Sequence, residues 1–157
     1  MIASRKRQTQ RTAGTMVETA VVSLACFVFM FAIFEFGRVI MMRNLMENAA
    51  RSGARIAVVM DVDAPNALTP TQQVTNVVIA ALAGQNLQNV TVTIYQSDSS
   101  GNSIGLWTSA PFGQNILVQV DADYSYIFPS LGWLPNSGAA PNSVHLTVKA
   151  MMRGEAN

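Results

Sequence analysis

The chain has 157 residues, a formal net charge of +1, one histidine and one cysteine. That length suits about one domain, the near-zero charge offers no general basic surface for nucleic acid, and a single thiol excludes an internal disulfide framework. Half of the residues are apolar and only 12% are charged, an unusual balance for a soluble domain of this size.

The excess apolar character is local. Arg5, Lys6, Arg7 and Arg11 come first, and no acidic residue precedes Glu18. From Thr19 to Phe34 the chain reads TAVVSLACFVFMFAIF, without a charge or a helix breaker. As a helix this run is about 24 Å long, and adding Met16, Val17 and Phe36 brings it to the roughly 20 residues that cross a bilayer. Glu18 and Glu35 then fall near opposite headgroup regions, and Arg38 and Arg43 are long enough to snorkel outward. A buried core helix is the alternative reading, but the density of Phe and Val favours a membrane span. The basic flank keeps the N-terminal side in the cytoplasm, while a long following domain translocates largely regardless of its charge.

Two familiar leader types fit poorly. A secretory signal needs a small-x-small site just after its apolar region, whereas EFGRVIMMRN follows here. A lipoprotein signal would use SLAC, yet Ser23 stands where an apolar residue is usual, and the apolar run continues for eight residues past Cys26. Cys26 therefore reads as a small apolar helix residue. Glu18 has two readings on residue type alone: an acid favoured by a helix N-terminus, or a membrane-edge charge held for a pairing partner.

From Val39 to Met60 no proline intervenes and strong helix formers are frequent, so the helix is expected to continue. Leu45, Ala49, Ser52 or Gly53, Ile56 and Val59 recur at three- and four-residue steps, predicting an apolar stripe under an outer domain. Arg43, Glu47, Arg51 and Arg55 step by four on another face, and Glu47–Arg51 is spaced for an ion pair. DVDAPNALTPT predicts the loop that ends the helix. Its Asp61 and Asp63 lack the further ligands and glycine of a calcium loop. Thr71–Ala83 reads as a short helix stopped by Gly84.

Three alternating stretches follow: Val90, Val92, Ile94; Ile116 through Tyr126 by twos; and Val144, Leu146, Val148. Each predicts a half-buried strand, separated by the turn-rich SDSSGNS and LPNSGAAPNS. The fold class is α+β: a long N-terminal helix packed on a small antiparallel sheet, with one short extra helix. The expected segments are a basic leader at 1–14, a transmembrane helix at 15–38, its extramembrane continuation at 39–60, and an extracytoplasmic α+β domain at 61–157.

The catalytic inventory is poor. His145, the only histidine, falls on the polar face of its strand and the only cysteine lies in the apolar run, which together remove Cys–His chemistry and any His/Cys metal cluster, and no glycine-rich phosphate loop occurs. Asp121 and Asp123 share a strand face where a cation is conceivable, but solvated surface is the better reading. Trp107, Trp133 and YSYIFPSLGW read as exposed aromatics or a subunit contact. No catalytic residue, metal or cofactor is expected, and the chain reads as a non-enzyme.

The residues GTMVETAVV and FEFGRVIMMRNLMENAARSGARIAVV resemble the TadE-like pseudopilin family of Tad pilus assembly. The match lies at Gly14, Val17, Glu18, Ala20, Glu35, Phe36, Gly37, Arg38, Asn48, Ala49, Ala50, Arg51, Gly53, Ala54 and Arg55. It covers just under a third of the chain. The resemblance implies a pilin-like fold and a prepilin leader cut by a prepilin peptidase around Ala13, Gly14 and Thr15. It also implies partners among other pilin-like subunits and the Tad assembly machinery. Glu18 would set register by pairing with a neighbour's new α-amine. Two departures stand out. Thr19 occupies a position usually aromatic, and Glu18 is fourth after a cut at Gly14 but fifth after a cut at Ala13, so the scissile bond stays open between the two. The implied function is a minor pseudopilin of a Tad-type pilus or related secretion system, single-pass in the inner membrane or within a pilus. The alternative is an uncleaved, membrane-anchored extracytoplasmic binding module.

Overall fold

Arg, Lys and Gln are good helix formers, and their density ahead of the apolar run carries helix α1 further upstream than the sequence pattern suggests: it spans Ser4–Val59. The computed structural model describes residues 4–61, 68–111, 113–127, 137–138 and 142–154, with side chains from residue 14 onward. Asp63, Trp133 and most of the LPNSGAAPNS turn lie outside the described residues. The chain divides into two units, Met1–Arg38 and Val39–Asn157.

Within the second unit, the loop after α1 leads to helix α2, Pro70–Leu82, which starts one residue before the expected Thr71. Its start is fixed by a reciprocal cap. The Gln72 N–H donates to the Thr69 hydroxyl at 3.3 Å, and the Thr69 N–H donates to the Gln72 side chain at 3.0 Å. Pro70 fits the first helical position because its missing N–H would have no partner there. Past the C-cap Ala83, Gly84 takes φ +81°, a left-handed conformation open to glycine at little cost.

The sheet has four antiparallel strands in the order β2-β1-β3-β4, with β1 at Leu87–Ser97, β2 at Ser103–Gly105, β3 at Asn115–Ser125 and β4 at Ser143–Arg153. This α+β arrangement, a long apolar helix with a short second helix and an antiparallel sheet, is pilin-like. The alternation anticipated on β3 is present: Ile116, Val118, Val120, Ala122 and Tyr124 all face the core. Tyr126 falls beyond the strand and meets the Tyr124 ring edge-on at 6.0 Å. β1 is longer than its alternation suggests because its register shifts between Gln88 and Thr91. Asn89 occupies that bulge at φ +52°, a conformation asparagine tolerates better than most residues.

The core lies between the sheet, α2 and the later turns of α1. The buried α1 residues of the second unit are Met42, Met46, Ala49, Ala50, Gly53, Ala54, Ala57 and Val58. The expected stripe is therefore corrected: Ala49 and Gly53 are buried as expected, but Val59 is 69% exposed and the buried face is turned toward Met46, Ala50, Ala54 and Val58. Arg43, Glu47 and Arg51 form an exposed ladder, with contacts of 3.6 and 3.9 Å worth a few tenths of a kcal/mol each.

Trp107 is a second correction. It lies in a 3-10 turn, Trp107–Ser109, is only 4% exposed, and its indole N–H donates to Thr71 Oγ1 at 3.2 Å. It joins the core through that turn, which follows β2 and has no counterpart in the hydrophobic periodicity.

The β1–β2 turn is held by Asp98, whose carboxylate accepts the Asn102 N–H at 2.8 Å, the Asn102 amide at 3.0 Å and the Ser100 N–H at 2.9 Å. These bonds, the Asn102 backbone first, lower its pKa from the ordinary carboxylate value. A depressed folded pKa gives a contribution that is complete above the unfolded pKa and is lost as pH falls through the folded one. Asp98→Ala is accordingly expected to speed amide exchange over residues 97–105 several-fold at neutral pH, with β3 and β4 staying protected. Exchange unaltered at those residues would show that the carboxylate does not hold the turn.

Candidate membrane anchor and leader segment

The first unit shows why the apolar run is a candidate site. Val22, Leu24, Phe27, Phe29 and Ile33 point in widely separated directions around the helix and are 57, 65, 54, 70 and 72% exposed. A helix apolar all round needs an apolar surrounding, from lipid or from other helices. None of its most apolar stretch is buried inside the chain. From Val17 to Phe36 the helix measures about 30 Å, the thickness of a hydrocarbon core. Phe27 and Phe31 stack one turn apart at 6.4 Å. Among the described residues one helix is long and apolar enough for single-pass anchoring, with Glu18 and Glu35 near the ends of its apolar run. Cys26 is exposed on it like its neighbours.

The residues expected around a leader cut lie within this same helix. Ala13 is helical, and its side chain is outside the described residues. Gly14, Thr15 and Glu18 are exposed, and the Thr19 hydroxyl donates back to the Thr15 carbonyl at 2.8 Å. Gly14 is the weak point of this turn, since glycine inside a helix costs about 0.5–1 kcal/mol relative to alanine. A Cβ there would meet nothing within 4 Å, so no close approach requires the glycine.

The remaining motif residues separate into two kinds. Glu35 is only 2% exposed, Phe36 is half exposed, Gly37 is open and Arg38 is half-buried. Asn48, Arg51 and Arg55 are exposed, whereas Ala50 and Gly53 enter the core. Gly53 has a steric reason. A Cβ placed on it would lie 2.6 Å from Val78 Cγ2, 3.4 Å from Val74 Cγ1 and 3.6 Å from Val118 Cγ1. The motif thus falls partly on the exposed apolar helix and partly on a packing surface, with Glu18 remote in sequence from the packing residues.

The outer face of the sheet carries a polar network rather than the solvated surface expected of Asp121 and Asp123. Asp123 is 3% exposed and accepts the Asn89 amide at 2.9 Å, while His145 Nδ1 lies 2.8 Å from its other oxygen. Asp121 accepts the Thr147 hydroxyl at 2.6 Å and the Gln119 amide at 2.8 Å, and lies 3.8 Å from His145 Nε2. The bulge at Asn89 is what aims that amide at Asp123, a contact that strand periodicity does not show. Among the described residues no three metal-ligating side chains converge.

Comparison with known proteins bears on the N-terminal part. Residues 14–55 match the family model described as TadE-like protein. They run from Gly14 through the apolar run to Arg55, the segment in which all but one of the candidate positions fall. A Tad pilus-associated role is what that family implies. No curated protein and no solved structure matches the chain.

Proposed function

We propose that the chain is a minor pseudopilin of a Tad-type pilus or related secretion system, made with a leader that a prepilin peptidase removes. The observation that carries this reading is a TadE-like segment whose apolar helix is exposed on every side and begins just after Gly14, Thr15 and Glu18. The leader segment 1–14 stays cytoplasmic, residues 15–38 span the inner membrane, and residues 39–60 continue the helix into the extracytoplasmic domain at 61–157. The peptidase meets its bond on the cytoplasmic side, where Gly14 weakens the helix locally and an extended conformation is cheapest to reach. Cleavage leaves an α-amine within one turn of the membrane edge. In an assembly, Glu18 of one subunit pairs with that amine on a neighbour, which offsets the cost of a carboxylate near hydrocarbon and sets the axial register. The apolar helix passes from lipid into contact with other pilin-like helices, exchanging one apolar surrounding for another. The protein's work is structural.

The test is mass spectrometry of full-length protein co-expressed with its own prepilin peptidase. The expected mature N-terminus is Thr15, or Gly14 if the cut follows Ala13, and an intact Met1 would sink the processing claim. In the same cells Glu18→Ala is expected to leave the protein in the membrane but to abolish its co-purification with pilin-like subunits. Unchanged co-purification would favour the uncleaved, anchored binding module instead.

A further inference from the structure

The edge of the sheet opposite β2 lies far along the chain from the N-terminal helix, and its features do not depend on processing. β4 is an edge strand of 11 residues without proline. Its even positions bond toward β3: just beyond its end, the Gly154 N–H donates to the Gln114 carbonyl at 2.7 Å, and the Gly154 carbonyl accepts the Gly113 N–H at 3.1 Å. By the alternation of antiparallel ladders, the odd residues turn their backbone groups outward.

At the start of the strand those outward groups are already engaged. The Ser143 carbonyl accepts the N–H groups of Ser137 and Gly138 at 3.2 and 3.1 Å, and the His145 N–H donates to Ser137 Oγ at 3.2 Å. Beyond that point, among the described residues, no backbone group bonds to the outward side of Thr147, Lys149 or Met151. The open stretch from residue 147 to 153 is about 23 Å long, and such an edge is a template for an added strand.

Next to the C-terminal end of this edge is a groove of about 440 Å³ lined by Arg55, Val58 and Val59 of α1 and by Met152 and Arg153 of β4. A strand added to β4 would lie between the edge and the helix, placing alternate side chains over Val58, Val59 and Met152. Its other side chains would stand beside Lys149 and Arg153 on the outer face. Among the described residues, the charged side chains lining the groove are Arg55 and Arg153, both cationic; Lys149 is exposed on the same strand, and Asp121 is engaged by the Thr147 hydroxyl at the far end of the edge. Arg153 Nε donates to the Gly113 carbonyl at 3.0 Å, which fixes one guanidinium at the groove rim.

We propose that the open edge of β4 from Thr147 to Arg153, with the Arg55–Val58–Val59 groove, accepts an extended partner peptide of alternating apolar and acidic residues by strand addition. Main-chain bonds supply the affinity in this mode, and the alternate side chains supply the selectivity. The cationic rim selects acidic segments and disfavours basic ones.

The probe is a fluorescein-labelled seven-residue peptide of alternating Glu and Val, titrated by anisotropy into the full-length protein in detergent micelles. It is expected to bind at least about tenfold more tightly than the matching Lys–Val peptide, and N-methylation at alternate residues should abolish binding. Lys149→Pro removes one outward N–H without touching the ladder to β3 and should weaken binding, as should Arg55→Glu at an exposed helix position. Should Lys149→Pro fail to fold, Arg55→Glu and the methylated peptide decide the matter. Equal affinity for the Glu–Val and Lys–Val peptides, or indifference to both methylation and Arg55→Glu, would overturn the proposal. A dimer by light scattering that Lys149→Pro or Arg55→Glu dissociates would also overturn it, because the occupant would then be a second copy of this chain.

Discussion

Gly53→Val is expected to destabilise the second unit by about 3 kcal/mol or more, at the upper end of what overpacking a filled core costs. The first added carbon would already fall 2.6 Å from Val78 Cγ2, with Val74 and Val118 close behind it. Val74, Val78 and Val118 are all 0% exposed, so none can turn into solvent. A β-branched residue in a helix has essentially one χ1 rotamer, which denies relief both to Val78 and to the new valine. Gly53→Ala sets two effects against each other: up to about 1 kcal/mol gained in helix propensity, and the same 2.6 Å approach. The clash should win, leaving a net loss of about 1 kcal/mol or more. For a domain of this size, 3 kcal/mol lowers the melting temperature by more than about 10 °C, readable by circular dichroism of the protein in micelles. Arg51→Val, two residues away on an exposed face, is the control and should stay within about 0.5 kcal/mol. A Gly53→Val protein that melts with the parent would show that α1 does not seat on α2 and β3 as described.

That position also shows where sequence reading gains and loses purchase. The strands were legible because Ile116, Val118, Val120 and Ala122 repeat at the two-residue period of a sheet with one covered face, and α2 was legible through Gly84 and the run before it. The helix stripe was legible in kind but misplaced in angle. Its contact surface is built from Ala49, Ala50, Gly53, Ala54 and Ala57, whose value is close approach rather than hydrophobicity. A reading weighted by large apolar residues therefore drifts toward Val59, which faces outward. β2 carries no signal, since three exposed residues have no face to bury. Trp107 escapes a local pattern because its burial depends on Thr71, 36 residues away in sequence, and no local period reports such a contact. The Asn89 bulge hid the first part of β1 by breaking its alternation, and with it the amide that satisfies Asp123. At the apolar run the situation is reversed. Composition alone marks Thr19–Phe34 as a candidate span, because a membrane-crossing helix needs only to be apolar and long enough.

The candidate anchor predicts the other large effect. Leu24→Arg with Phe27→Arg is expected to strip the protein from the membrane. The two residues lie three apart on one side of the helix, 65 and 54% exposed, and flank the midpoint between Glu18 and Glu35. Each arginine at a helix centre costs about 2.5–3.5 kcal/mol on insertion scales, and each lost apolar residue removes a few tenths more, so the pair costs roughly 6–8 kcal/mol. At mid-bilayer the side chains are too far from either surface for snorkelling to recover that cost cheaply. The same charges placed at Ile40 and Met41, also exposed but beyond Arg38, should be tolerated, because there the guanidinium groups reach the interface. Alkaline carbonate extraction separates the cases: the parent and the Ile40→Arg/Met41→Arg protein stay in the pellet, and the Leu24→Arg/Phe27→Arg protein moves to the supernatant or is degraded. If the central pair remained in the pellet, the apolar surface of α1 would have to be covered by protein rather than lipid before any assembly takes place. The contrast between the two pairs tests the placement of the span as well as its existence. It requires the hydrophobic boundary to fall at Glu35–Arg38, where the helix first carries a buried carboxylate and then a half-buried guanidinium.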